Sequence, residues 1–207
     1  MSTSAPPADA GVLWPVALQR ALARATHDVK DALNGVSVNL EVIRSRASRP
    51  DALASSVAPF ADAAAQQLER LAALLDAVLA LGRSEGGPAD VGVTLRRVAA
   101  LCSASNAVSD ARVTVRETLV GDARTSVPTD ALRLALIAPL LDAVSSRRGE
   151  SREAVICELT RDGDALVVRM LADRPVAMPS DAAEVLRVAG VRWTESAHDL
   201  SVVFPRA

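Results

Sequence analysis

The chain has 207 residues, half of them hydrophobic and only 2% aromatic, and its formal net charge at pH 7 is −2. This charge gives no general electrostatic attraction to nucleic acid or to an anionic membrane, so we expect neither as a partner. No apolar run reaches the roughly 18–20 residues that a membrane-spanning helix needs, and we expect a soluble, cytoplasmic protein. With so few aromatic residues, the core must consist of alanine, leucine and valine, and alanine and leucine favour helix.

A long amphipathic helix is predicted after a short leader. Residues 1–11 are rich in serine, proline and alanine, lack the features of a secretion signal, and are expected to be disordered. From about Val12 to Arg46, apolar or small residues recur in steps of four and three, which is the pattern of a helix with one apolar seam. These residues are Leu18, Leu22, Ala25, Val29, Ala32, Val36 and Ile43.

A second long helix is predicted to begin between Pro50 and Pro59 and to end near Leu81, where a glycine-rich run stops it. Its apolar stripe consists of Phe60, Ala64, Leu68, Leu71, Leu75 and Val78. Two antiparallel helices with one stripe each bury those stripes poorly on their own. We therefore expect the hairpin, residues 12–86, to form a homodimer as a four-helix bundle.

Beyond Pro88 the pattern changes to shorter, mixed elements, and we assign residues 87–207 to a second domain. The predicted order is a helix at 90–105, a strand at 113–119, a helix ending near 144, strands at 154–159 and 166–171, a short helix after 180, and strands at 191–194 and 200–204. This mixture indicates an α+β fold, in which a small α/β sandwich with helices on one face of a sheet follows the helical hairpin.

One histidine in the first helix is a candidate for chemistry. At 100° per residue, His27 lies about 200° from both Ala25 and Val29, and therefore opposite the seam. Its axial neighbours are Arg20, Arg24, Asp31 and Asn34. Imidazole can accept a phosphoryl group, and Asp28 can hydrogen-bond a ring N–H and raise its nucleophilicity. The two arginines can steady a phosphoryl group or meet an acidic pocket of a partner. The alternative is an inert surface histidine.

The run at residues 26–36 resembles the phosphoacceptor box of two-component sensor histidine kinases, in which a helical His is followed by Asp or Glu and commonly by a Pro-Leu pair. The hairpin resembles the dimerisation and phosphotransfer domain of that family. The resemblance implies that His27 is the phosphoacceptor and Asp28 its acidic neighbour. Ala32 stands where the family often has Pro. Asp31 stands where Thr or Asn commonly positions water for dephosphorylation of the response regulator, and an acid there disfavours phosphatase activity.

The layout of the second domain resembles the ATP-binding domain of the same family, with departures. The helix at 132–144 corresponds to one that normally carries a Mg²⁺-binding asparagine, and Asp142 is the nearest substitute here. Asp173 matches the acid of an Asp-x-Gly-x-Gly box, but no glycine lies between Gly163 and Gly190. Phosphate cradles need closely approached backbone N–H groups, which glycine permits and proline lacks. We therefore expect no ATP binding in the usual mode, no cofactor and no metal, with both acids vestigial.

The other unusual residues have structural interpretations. His198 is predicted in a surface turn, because no cluster of cysteines or histidines accompanies it. Trp14 and Trp193 are interpreted as packing anchors. Cys102 and Cys157 stand far apart in apolar surroundings and are interpreted as buried free thiols.

Three functions are compatible with the sequence. The first is a histidine phosphotransferase that exchanges phosphate between His27 and the receiver aspartate of a response regulator, which supplies Mg²⁺ from its own acidic pocket. Candidate partner-binding residues are Arg20, Arg24, Val29, Lys30, Asp31, Leu33 and Asn34. The second is a non-catalytic pseudo-kinase that binds or sequesters a response regulator or a partner kinase. The third is an authentic histidine kinase with a divergent ATP site.

Overall fold

The computed structural model describes residues 9–49, 53–83, 88–104, 113–119, 121–145 and 155–207. For three residues of the first helix, Arg24, His27 and Asp28, the structure describes the backbone and not the side chain. The predicted leader lies largely outside it, as does the predicted domain boundary between residues 86 and 87.

Two long helices form the predicted hairpin. Helix α1 (Ala10–Ala47) begins two residues earlier than expected, where Asp9 caps it by accepting the Gly11 N–H at 3.2 Å. A 3₁₀ turn (Ala54–Ser56) leads into α2 (Ala58–Gly82), which has Pro59 in its first turn. The predicted positions of both helices are confirmed to within a few residues.

The inward seam of α2 differs from the predicted stripe. Its buried or half-buried positions are Phe60, Ala63, Ala64, Gln67, Leu71, Leu74, Ala77, Val78, Ala80 and Leu81. Leu68 and Leu75, which the prediction placed in the stripe, are 50% and 52% exposed. They follow inward positions by one residue, or about 100° around the helix. The prediction was wrong at these two positions because α2 carries two adjacent apolar seams.

The seam of α1 is also displaced from the predicted one over its first half. The buried positions there are Ala10, Trp14, Ala17, Ala21 and Ala25, whereas Leu18 and Leu22 are only half-buried. The displacement arises because this half of α1 packs against the second domain as well as against α2.

A close crossing of α1 and α2 explains the glycine in the middle of α1. A Cβ atom added to Gly35 would clash with the side-chain amide of Gln67, so this amide packs directly against the glycine. Oε1 of Gln67 is buried there and accepts no hydrogen bond from the described part of the chain. Glycine at this position therefore lets the amide fit between the helices.

The second domain contains all the predicted elements and two additional short strands. Its elements are β1 (Ala89–Asp90), α3 (Val91–Ala104), β2 (Val113–Glu117), β3 (Arg124–Thr125), α4 (Thr129–Ser145), β4 (Val155–Asp162), β5 (Ala165–Leu171), α5 (Ser180–Val188), β6 (Arg192–Glu195) and β7 (Asp199–Pro205). The main sheet has the order β2-β4-β5-β7-β6, with β2 parallel to β4 and the other pairs antiparallel. The two-residue strands β1 and β3 pair with each other.

The core lies between the inner face of the sheet and the helices. Residues alternate along β4, β5 and β7, and the buried ones are Val155, Cys157, Leu159, Leu166, Val168, Met170, Leu200, Val202 and Phe204. Residues 131–137 of α4 are all buried, because this helix lies between the rest of the second domain and α1. The predicted α+β fold class is confirmed.

The hairpin has two halves with different surroundings. The proximal half, residues 10–25 and 71–83, shares one buried apolar cluster with the second domain. In the distal half, residues 26–49 and 58–70, the buried apolar side chains are Val36 and Ala64, within the described residues. Leu33, Val38, Leu40 and Leu68 of the distal half are exposed. None of the helices described here is both long enough and apolar enough to cross a membrane.

Candidate functional site

His27 occupies a position of α1 whose helical neighbours face solvent. Ala23, Lys30, Asp31 and Asn34 lie on the same side of the helix as residue 27, and all four are exposed. Ala25 and Val29 on the opposite side are buried and half-buried, as the helical pattern predicts. The imidazole itself, with the side chains of Arg24 and Asp28, lies outside the described atoms, so its exposure stays a prediction.

The predicted partner-binding residues divide into two groups. Lys30, Asp31 and Asn34 share one exposed surface of α1 beyond residue 27. Arg20 instead reaches the second domain, where its Nη1 lies 3.9 Å from Oδ2 of Asp181 in α5. Both side chains of this ion pair are more than half exposed, so its contribution to stability is small.

Two apolar residues were proposed for partner docking, and the structure separates them. Val29 is half-buried and packs against the core, which limits its part in docking. Leu33 is 45% exposed. Val38, which the sequence interpretation did not single out, is 63% exposed and lies three helical turns beyond residue 27 on the same side of α1. Its spacing of eleven residues from His27 corresponds to about three full turns, and this spacing could have indicated that the two residues share one side of α1.

The segment after β5 corresponds to the predicted vestige of a nucleotide site, and it is anchored to the core. Val176 and Met178 are 2% and 7% exposed and belong to the core cluster. The Met178 N–H donates to Oε1 of Glu195 at 3.0 Å, and the Ala172 N–H donates to the carbonyl of His198 at 3.1 Å. These two donors are therefore engaged within the protein rather than available to a phosphate group.

The two acids that were predicted to be vestigial lie at the surface. Asp142 in α4 and Asp173 after β5 are both exposed. Among the described residues, no group of three or more histidine, cysteine, aspartate and glutamate side chains is arranged to hold a metal ion.

A cavity of about 890 Å³ lies at the turn end of the hairpin, far along the chain from Asp173. It is lined by Glu41, Val42, Ser45, Arg46, Arg49, Leu53 and Ser56. The Arg46 guanidinium donates to the Ser56 carbonyl at 2.8 Å and lies 4.7 Å from the centre of the Phe60 ring. Arg46 therefore braces the turn.

The residues with structural interpretations are placed as expected. His198 is exposed in the turn before β7, and beside it the Arg169 guanidinium holds the pKa of Asp199 below its usual value through a hydrogen bond of 2.6 Å. Trp14 is buried, and Trp193 is half-buried beneath the Arg187 guanidinium.

Both cysteines are buried and free, as predicted, and burial raises the pKa of Cys157 to about 12. Cys157 therefore offers no reactive thiolate near neutral pH in the folded protein.

Solved structures align with most of this chain at low identity. A bacterial phosphotransferase is 14% identical with a TM-score of 0.43, and the alignment covers 98% of each chain. The histidine kinase AdeS of Acinetobacter baumannii is 13% identical with a TM-score of 0.41, covering 86% of this chain and 97% of that one. The histidine kinase ThkA, solved in complex with the response regulator TrrA, is 11% identical with a TM-score of 0.49, covering 90% and 61%.

The likeness is one of overall fold. No protein-family model matches the chain, and no curated protein matches its sequence. At these identities and TM-scores, the neighbours carry no conclusion about activity or partners. Function is therefore argued from the residues of this chain.

Proposed function

We propose that this protein is a histidine phosphotransferase of two-component signalling, which carries phosphate on His27 and uses no ATP of its own. An imidazole nitrogen attacks the phosphorus of an aspartyl phosphate on a receiver domain. The N–P bond forms as the P–O bond to the aspartate breaks, and the aspartate leaves as a carboxylate. The receiver's acidic pocket holds the Mg²⁺ that offsets the phosphoryl charge. The reverse reaction returns the phosphate to a receiver.

The neighbours of residue 27 support this chemistry. Asp28 follows the histidine directly and is proposed to hydrogen-bond the imidazole N–H, which keeps the attacking nitrogen unprotonated and nucleophilic. Arg24 lies one helical turn before His27 and is proposed to approach the phosphoryl oxygens. Exposed Lys30, Leu33 and Asn34 continue the surface available to a receiver.

The anchored segment after β5 is the observation that favours phosphotransfer over autokinase activity. A kinase needs backbone donors that close around the ATP phosphates, and glycine normally supplies that freedom. Here the segment at residues 172–179 contains no glycine, and Val176 and Met178 pack into the core. This supports the proposal that phosphate comes from another protein.

A second apolar seam on α2 supports the proposed homodimer. It runs beside the seam that contacts α1, with spacings of four and three residues, and every position in it is exposed in the single chain. Its residues are Ala61, Ala65, Leu68, Ala72, Leu75 and Leu79. Within one chain α2 packs against α1 and α3, and neither helix covers this seam. In a four-helix bundle a helix from the second hairpin would cover it. A second copy of this chain is the proposed occupant of this seam.

A non-catalytic pseudo-kinase is the second candidate. The apolar surface at Leu33 and Val38 supports binding whether or not phosphate is transferred. Arg20, one of the cations proposed to meet a partner, lies near Asp181 instead. Such a protein would bind a receiver and leave its phosphorylation unchanged.

The variant H27Q, with H198Q as its matched control, distinguishes the two candidates, because these are the two histidines of the chain. The probes are receiver domains phosphorylated with acetyl phosphate, and the readouts are phosphohistidine formation and receiver binding. A phosphotransferase loses phosphohistidine in H27Q alone, with receiver binding retained in both variants. Unchanged receiver dephosphorylation in H27Q, or phosphohistidine lost equally in H198Q, contradicts the proposal.

A further inference from the structure

A buried arginine lies where the hairpin meets the second domain. Arg133 stands in the second turn of α4 and is only 4% exposed. A buried cation is costly unless hydrogen bonds and nearby charges satisfy it. Its environment therefore has to provide acceptors, and these acceptors show what the residue holds together.

Three partners surround the Arg133 guanidinium, each from a different segment. Its Nη1 lies 3.3 Å from Oδ1 of Asp130, one turn earlier in α4. Its Nη2 donates to the carbonyl of Arg83, the first residue after α2. The guanidinium carbon lies 5.6 Å from the centre of the Trp14 ring, which is itself 5% exposed in α1.

The Arg83 contact is notable because of its place in the chain. Carbonyl groups at the end of a helix lack intrahelical donors, and Arg133 supplies one to the carbonyl that follows Gly82. The Arg133 side chain thus contacts the end of α2 through the Arg83 carbonyl and the beginning of α1 through the Trp14 ring. A planar fork of five N–H donors beside an aromatic face suits these contacts, which lysine or an apolar side chain does not reproduce.

Further contacts reinforce this junction. Ala17, Ala21 and Ala25 continue the buried face of α1, and small side chains allow α1 to approach α4 closely. A Cβ atom at Gly11 would lie 3.9 Å from Oδ2 of Asp130, so the beginnings of the two helices are also close.

We infer that Arg133 acts as a latch that fixes the second domain in one orientation on the hairpin. The proximal half of the hairpin and the second domain then move as a single body. A domain held in this way does not swing about the connection between Arg83 and Pro88, and it delivers no group to His27 by such a motion. This inference stands independently of phosphotransfer.

The test measures the distance distribution between nitroxide labels at S45C in α1 and D164C in the β4–β5 turn of the full chain. Both native residues are exposed, whereas the native cysteines are buried. Labelled chains are diluted with unlabelled chains, so that distances between copies do not contribute. The parental protein is expected to give one narrow distribution, and R133M is expected to shift part of the population to other distances.

R96M is the matched control, because Arg96 is an exposed arginine in α3 that pairs with Glu117 within the second domain. It is expected to leave the distribution narrow. If R133M does not fold by circular dichroism, W14L replaces it, because leucine stays apolar but removes the aromatic face that contacts Arg133. A broad distribution in the parental protein, or a folded latch variant as narrow as the parent, overturns the inference.

Discussion

The distal half of the hairpin and the second domain use the same aliphatic residues in opposite ways. In α4, residues 131–137 are buried without a break. In the distal half of the hairpin, Val36 and Ala64 are the described apolar side chains that are buried, while Leu33, Val38 and Leu40 remain exposed. Since burial of apolar area is the main favourable term in folding, we expect the second domain to contribute most to stability, whereas the distal half buries few apolar side chains within one chain.

Residue 27 lies where the proximal and distal halves of the hairpin meet. Ala25 is the last buried residue of the proximal half of α1, and the exposed surface of Lys30, Leu33 and Asn34 follows. The proximal half, which packs against the second domain, positions residue 27. The distal half keeps apolar side chains exposed, where a partner could bind.

Truncation in the second domain is expected to cost far more than truncation in the distal half. L136A removes a fully buried side chain of α4 and should lower the free energy of unfolding by about 2–5 kcal/mol. L33A removes a side chain that is 45% exposed and should cost less than about 1 kcal/mol. Urea unfolding of both variants checks this, and equal losses would contradict the division.

A charge in the second seam of α2 is expected to abolish the homodimer. Leu75 is 52% exposed in the single chain, and L75E would place carboxylates against the apolar seam of the second copy. The mass by light scattering should fall to that of one chain. V188E on α5, where the native side chain is 81% exposed, is the control and should leave the mass unchanged. A monomeric parental protein would remove the basis of the dimer proposal.

Burial of Cys157 in the core of the second domain is expected to lower the free energy of unfolding at alkaline pH. Burial raises the pKa of Cys157 to about 12, above the ordinary value of 9.0. The folded state therefore keeps its thiol proton while the unfolded chain loses it, so stability falls as the pH rises through this interval. The slope contributed by one group reaches about 1.4 kcal/mol per pH unit.

C157A removes this contribution, and its urea unfolding curves should show a shallower loss of stability than the parent between pH 9 and 11. The chain has no tyrosine, which keeps the background titration small. Parallel losses in the two proteins would show that the thiol is hydrated in the folded state.

The ion pair between the proximal half of the hairpin and the second domain is expected to contribute least. Arg20 and Asp181 are 3.9 Å apart with side chains 67% and 58% exposed, so D181N should change stability by less than about 0.5 kcal/mol. A larger loss in urea unfolding would mean that this contact, rather than Arg133, holds the junction.

The secondary structure was largely predictable because its signals are local. Steps of four and three residues predicted α1 and α2, alternation predicted β2, and the turn sequence at residues 161–164 predicted the hairpin of β4 and β5. The two-residue strands β1 and β3 gave no such signal, since their pairing depends on the rest of the fold. The seam of α2 was misassigned at Leu68 and Leu75, because two adjacent apolar seams cannot be ranked without knowing which one contacts α1.

The candidate site was predictable only in part. His27, Asp28 and their axial neighbours follow from helical geometry within one segment. The contacts of Arg20 with Asp181, and of Arg133 with Trp14 and Arg83, join segments distant in sequence. No periodicity within a single helix contains that information.

The most direct test of the central claim is the source of the phosphate on His27. Acid-labile phosphate is measured on the full chain by intact mass, first with ATP and Mg²⁺ alone and then with a receiver domain phosphorylated by acetyl phosphate. We predict an increase of one phosphoryl group with the phosphorylated receiver, none with ATP, and neither in H27Q. Phosphorylation of His27 by ATP alone would contradict the account.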